Sequence, residues 1–213
     1  MPVDHRYLRY PPLIQREQYA KGGIGRWYWD FRDNIIFNFI KPDDQDILDL
    51  GCGEGITLER LIKNFPGRNI HGIDIMPENI EVCKSFQLPA RLGNVCSLGV
   101  RDSSQDVVLF LEVLEHLSEP GIAIREIHRI LRPGGRVLIL FPNDRMFFFS
   151  RLITLRLKEA FYDPGHVRQW TIADVARLVS SEGFRPVAFK IIPFYIWMIS
   201  LHGLVVAVKE EMK

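Results

Sequence analysis

Apolar positions along this chain alternate between two spacings. Trp27, Phe31, Ile35, Ile36 and Phe39 fall at helical intervals and predict an amphipathic helix over 26–40, behind an irregular arm and the glycines Gly22, Gly23 and Gly25. A short apolar strand is then predicted at 47–50, a helix at 56–65, a strand at 69–75 and a helix from 77 to about 86. A fully apolar strand at 107–111 precedes a helix over 119–131, which stops at Arg132-Pro133-Gly134-Gly135. A strand at 137–141 comes next. The last predicted helix, 171–181, opens on Thr171-Ile172-Ala173-Asp174, the spacing of a capping box, and ends at Gly183; a buried strand at 204–208 follows. Uninterrupted apolar strands between amphipathic helices require a mostly parallel sheet with helices on both faces, hence an α/β fold. With no repeat or linker, residues 1–213 read as one domain, with an N-terminal arm (1–25) and an insertion (143–170).

Composition narrows the function. The 213 residues suffice for one core, and 47% apolar with 25% charged residues excludes a disordered chain. With 27 basic against 26 acidic side chains, the charge gives no support for a nucleic-acid partner. Cys52, Cys83 and Cys96 form no CxxC pair, which argues against a disulfide framework or zinc site and for a reducing compartment, the cytoplasm. The N-terminus has no signal-peptide core. Residues 191–208 carry no formal charge, and about 18 apolar residues would suggest a membrane span. Pro193, Ser200, His202 and Gly203 interrupt that run, so no transmembrane span is expected, although peripheral membrane contact stays open.

The most informative segment is Ile47-Leu48-Asp49-Leu50-Gly51-Cys52-Gly53-Glu54-Gly55, a strand entering a glycine turn and then a helix. Glycines there let backbone approach a ligand closely, and the helix start adds unpaired N–H groups. A nicotinamide or flavin fingerprint would be GxGxxG, but the third glycine comes one residue early, at Gly55. Asp49, two residues before Gly51, would repel a pyrophosphate and favour the ammonium of an amino-acid moiety.

This segment resembles the S-adenosylmethionine (SAM) motif of class I methyltransferases, specifically the type 11 group. His71-Gly72-Ile73-Asp74-Ile75 resembles their second-strand motif, residues 106–117 their fourth-strand motif, and Leu131-Arg132-Pro133-Gly134-Gly135 the turn before their fifth strand. The resemblance spans about Trp29 to Phe184. It implies a single Rossmann-like domain whose seven-stranded, mostly parallel sheet has an antiparallel last strand. It also implies SAM as cofactor, with Gly51 and Gly53 against its methionine part, Asp49 near the amino group and Asp74 on the ribose. Asn94, where the family usually has aspartate, would accept from the adenine amino group; Val95 would offer its N–H to the ring, and Leu111 would complete the pocket.

Glu112, Glu115 and His116 follow an apolar strand and lie at its carboxyl end, where open α/β sheets bind ligands. If Glu112 opens a helix, the three share a face. They would then cap that helix, or perform acid–base chemistry with His116 as base and Glu112 beside it. Alternatively they would hold a divalent cation, resembling small-RNA 2′-O-methyltransferases with His166 as a further ligand; a metal-free site is the expectation. The implied reaction is methyl transfer from SAM to an O, N or C atom of a small or lipid-like acceptor. The alternatives are a SAM-binding regulatory protein without catalysis and a metal-assisted RNA 2′-O-methyltransferase. Acceptor choice would reside in the arm and in the 143–170 insertion, where Phe147, Phe148, Phe149, Arg145 and Arg151 suggest a lid or ordinary packing. Tyr28 and Trp29 carry the same two readings.

Overall fold

The computed structural model describes residues 15–143, 168–194 and 200–210. Helices α1 (Gln15–Ala20) and α2 (Gly23–Phe37) precede strand β1 (Asp46–Leu50) and helix α3 (Ile56–Asn64). Then come β2 (Asn69–Asp74), α4 (Pro77–Ser85), β3 (Ala90–Leu92), β4 (Gln105–Leu111) and α5 (Pro120–Ile130). The chain closes with β5 (Leu131–Pro142), α6 (Ile172–Ser181), β6 (Phe184–Ile192) and β7 (His202–Lys209). The capping box at Thr171 and Asp174 is present, with reciprocal side-chain and backbone bonds.

The strands form one seven-stranded sheet in the order β3-β2-β1-β4-β5-β7-β6. β1 pairs in parallel with β2 and β4, β2 with β3 and β4 with β5, while β7 runs antiparallel to β5 and β6. The chain winds outward from β1 and returns to β4, so the sheet reverses between these neighbours. Their carboxyl ends border the crevice where such sheets take ligands.

Alternate residues of each central strand enter opposite cores, which is why the strands read as unbroken apolar runs. Leu48, Leu50, Val108, Phe110, Val137 and Ile139 pack with Ile124 and Ile127 of α5 and Val175 and Val179 of α6. Ile47, Val107, Leu109, Leu138 and Leu140 pack on the other face with Ile36 and Phe37 of α2 and Leu58 and Leu61 of α3.

Several sequence boundaries move. Residues 15–20, expected within an irregular arm, form α1, and α2 starts at Gly23. β3 and β6 carried no periodic signal: β3 has three residues with Arg91 and Leu92 exposed, and the edge strand β6 exposes Val187 and Phe189. The Arg132–Gly135 turn lies within β5, whose pairing jumps from Gln105↔Leu131 to Val107↔Arg136. Among the described residues no helix is long and apolar enough to cross a membrane.

A buried ion pair joins β5 to the segment after α2. Arg136 Nη1 and Nη2 donate to Asp44 Oδ2 and Oδ1 at 2.7 and 3.1 Å, with both residues buried. Asp44→Ala leaves that guanidinium buried without its carboxylate, and unfolding in urea is expected to lose about 3–5 kcal/mol of stability. Wild-type stability in this variant would contradict the pairing.

Candidate active site

β1 delivers Asp49 to the carboxyl edge, and the chain then turns through Gly51 and Gly53, with φ of 84° and 54°. A Cβ on Gly51 would stand 2.2 Å from Val113 Cγ2, so the turn admits glycine alone without rearrangement. Gly51 N and Cys52 N donate to Ile73 O at 2.7 and 3.1 Å, which ties the loop to β2. Gly53 N donates to Asp74 Oδ2 at 2.8 Å. Asp74 Oδ1 accepts from Met76 N at 2.8 Å and Asn79 Nδ2 at 3.0 Å. Asp74 thus anchors the start of α4 and the glycine loop, and these bonds leave a share of its roughly four lone-pair positions.

Asp49 differs. It is 2% exposed, and its Oδ2 has no hydrogen-bond partner among the described residues. Burial pushes this carboxyl up to about 7; Asp33 and Asp74 push the same way, while Arg32 opposes them. A buried carboxylate oxygen left unpartnered beside a glycine turn fits the ammonium of an amino-acid moiety, as the resemblance to SAM proteins implies.

Gly93 N donates to Asp74 O at 2.9 Å, which places Asn94 and Val95 next along the rim. Asn94 Oδ1 accepts from Cys96 N at 2.9 Å in a local turn, so its expected adenine contact would use the second lone pair. Val95 is buried. α1 lies over the loop: Arg16 Nε donates to Glu54 O at 2.6 Å and Nη2 to Gly55 O at 3.0 Å.

The other half of the crevice begins at the end of β4, where Leu111 is buried in the α2-side core. Glu112 does not open a helix. Its φ is 56°, its N–H donates to Leu140 O at 2.9 Å, and the single helical turn that follows covers only Leu114–His116. Glu112, Glu115 and His116 therefore do not share a helix face. Glu115 is buried, while His116 is partly exposed with Nε2 4.0 Å from Glu115 Oε1. The turn starts at Val113 with no side-chain cap bond, so Glu112 is not its cap.

Glu112 pairs with residues far away in sequence. Its Oε1 accepts from Arg32 Nη1 at 2.6 Å and lies 3.3 Å from His202 Nε2. His202 Nδ1 is 2.5 Å from the Tyr28 hydroxyl, and the two rings stack with centroids 5.7 Å apart. Burial alone would raise the Glu112 carboxyl, but His202, Arg32 and His116 outweigh it and hold it at about 2. The Tyr28 phenol is driven well above its usual range by burial and then by the Glu112 charge. Arg32 also gives Nε and Nη2 to Asp33 Oδ1, and Nη2 to Thr57 Oγ1. Its pKa stays raised despite burial because Asp33 and Glu112 face it.

Arg32 and His202 carried no motif that marked them as site residues. The available signals were a charged pair, Arg32-Asp33, inside an amphipathic helix, and a histidine within an uncharged run. His166 and nearly all of the 143–170 insertion lie outside the described residues, as does most of the 1–25 arm. Among the described residues no group of three or more His, Cys, Asp or Glu is arranged to hold a metal ion.

Residues 48–139 match the family described as a methyltransferase domain. A probable S-adenosylmethionine-dependent methyltransferase of Mycolicibacterium smegmatis is 30% identical over 161 residues, covering 74% of this chain and 59% of that protein. A ubiquinone biosynthesis O-methyltransferase of Pseudomonas aeruginosa is 33% identical over 113 residues, 49% of this chain and 48% of the relative. The chain thus spans less than two thirds of the length of these relatives. A SAM-dependent methyltransferase from Archaeoglobus fulgidus superposes with a TM-score of 0.69 at 17% identity, over 92% of this chain and 99% of that one. That likeness bears on the fold.

The Asp49 carboxyl is expected to titrate near pH 7 in the unliganded protein, against an ordinary value of 3.8. Carboxyl-carbon NMR, with the signal assigned by its loss in Asp49→Asn, measures the midpoint. A midpoint in the ordinary range would show that the side chain has a partner or solvent.

Proposed function

Since this chain carries a class I SAM-dependent methyltransferase domain, we propose that it transfers a methyl group from SAM to an oxygen, nitrogen or carbon atom of a small or lipid-like acceptor. The observation that carries this reading is the buried, unpartnered Asp49 oxygen beside the Gly51–Gly53 turn. When bound, SAM supplies a methyl group already activated on a sulfonium. The protein then has to align the acceptor, exclude water and remove a proton where the acceptor carries one.

On the β1–β2 side, Asp49 receives the ammonium group, and Gly51 and Gly53 lie against the methionine portion. Asp74 uses its remaining acceptor capacity on the ribose, while Asn94 and Val95 border the adenine. On the β4–β5 side, Leu111 closes the pocket between cofactor and acceptor, and Glu112 is a fixed negative charge. His116, partly exposed on the turn after Glu112, contacts the acceptor. A small-molecule acceptor is supported by the near-neutral charge of the chain and by the ubiquinone-pathway relative. The arm and the 143–170 insertion are the segments that would select it.

Isothermal titration calorimetry tests the reading. SAM and S-adenosylhomocysteine are expected to bind, and Asp74→Ala to weaken SAM binding by about 1.5–3 kcal/mol, the scale of hydrogen bonds to a charged group. Circular dichroism confirms that the variant is folded. Binding of NAD(H) with none of SAM would refute the assignment.

A further inference from the structure

We propose that Tyr28, His202 and Glu112 form a proton relay and that the methyl acceptor is a hydroxyl oxygen. This rests on the methyl-transfer reading and names the substrate class of the same site.

The three residues come from distant parts of the chain. Tyr28 lies on α2, Glu112 directly follows β4, and His202 opens β7 opposite Pro142 at the carboxyl end of β5. They meet on the β4–β5 side of the crevice, while Asp49, next to last in β1, and Asp74, last in β2, lie on the other side. A cofactor held by Asp49 and Asp74 would therefore have this group on its acceptor side.

Their order is carboxylate, imidazole, hydroxyl. Glu112, fixed as an anion by Arg32, sits 3.3 Å from His202 Nε2 and favours the proton on that nitrogen. Nδ1 is then left with its lone pair toward the Tyr28 hydroxyl at 2.5 Å. Ring stacking holds both side chains in that alignment. Tyr28 and Glu112 are both partly exposed with the buried His202 between them, and the relay takes the Tyr28 phenol as the member that meets the acceptor.

Burial and the Glu112 charge keep the phenol protonated at rest, so Tyr28 alone is no base. It accepts a proton only as it gives one up. In the step, the acceptor O–H bond breaks as its oxygen forms the bond to the methyl carbon, and the S–C electron pair stays on sulfur. The acceptor proton passes to Tyr28 Oη, and the Tyr28 proton passes to His202 Nδ1. The resulting imidazolium faces Glu112, and its proton later leaves to water. A neutral amine attacks through a lone pair that carries no proton, so the relay would add nothing to that bond-forming step. Among the described residues, the charged and titratable groups around the relay are Arg32, beside Tyr28 and Glu112, and His116, beside Glu112.

The test has a resting-state and a turnover arm. Nitrogen NMR of the unliganded protein, with His202 assigned by loss of its signals in His202→Gln, is expected to show Nε2 protonated and Nδ1 bare. Tyr28→Phe should shift the Nδ1 signal. The reverse tautomer, or an Nδ1 unmoved by Tyr28→Phe, overturns the relay. For turnover, substituted phenols of graded acidity and the matching anilines serve as probes with SAM. Phenols are expected to be methylated, and Tyr28→Phe to lower kcat roughly 10²–10⁴-fold, the usual share of general acid–base catalysis, while SAM affinity persists. That loss should shrink as the phenol grows more acidic, because an acidic phenol needs less help. His116→Ala is expected to raise KM and leave the dependence on acidity in place. Methylation of anilines but not phenols, of neither set, or of phenols equally by Tyr28→Phe overturns the proposal. Calorimetric SAM binding keeps the methyltransferase reading intact in each of those cases, and its absence would bring down that reading instead.

Discussion

One buried guanidinium has to serve several carboxylates at the carboxyl edge of this sheet. Arg32 gives two of its nitrogens to Asp33 and a third to Glu112, and reaches Asp49 only through space. In a low-dielectric surrounding, a carboxylate with a directed charged partner stays ionised and one without tends to hold its proton. Glu112, with His202 and then Arg32 facing it, is held at about 2, while Asp49 rises to about 7. Two acids of one crevice are thus set to different states by the partners each has, the kind of separation that gives neighbouring groups distinct roles. Arg60 reinforces it: its Nε donates to Asp33 Oδ2 at 2.9 Å, so Asp33 has a second cation, one it shares with Asp30.

The two acids also divide the crevice spatially. Asp49 lies with Asp74 and the glycine turn at the ends of β1 and β2, and Glu112 with His202 and Tyr28 at the ends of β4 and β5. Val113 joins the halves, since its side chain fills the space a Cβ on Gly51 would need. The positive φ at Glu112 keeps its carboxylate at the sheet edge instead of passing it into a helix. This backbone conformation is uncommon for a residue with a Cβ and is stabilised here by the bond to Leu140 and the pairing with Arg32.

Much of this was legible in the sequence because local spacing and tertiary demand agree. The buried central strands must be apolar on both sides, so β1, β4, β5 and β7 stood out, and the glycine turn marks a site that tolerates no side chain. β3 and β6 did not stand out, because short or peripheral strands need little apolar surface. Glu112 was misread for a different reason. The Glu-x-x-Glu-His spacing suits a helix, and a positive φ at a glutamate leaves no local signature. Arg32 and His202 became functional candidates only when the fold brought them to Glu112, from positions 80 residues before it and 90 after it. Asp74 was legible as a ligand contact and also anchors the loop, because a carboxylate has acceptor capacity for both.

Asp49 is a buried acid poised to meet a cation. Calorimetry of SAM binding at about pH 6.5, in two buffers of different ionisation enthalpy, tests it directly through the protons exchanged. Binding is expected to release protons as Asp49 ionises against the incoming ammonium, and Asp49→Asn to abolish the release. Binding with no proton release, or with the same release from the Asn variant, would contradict it.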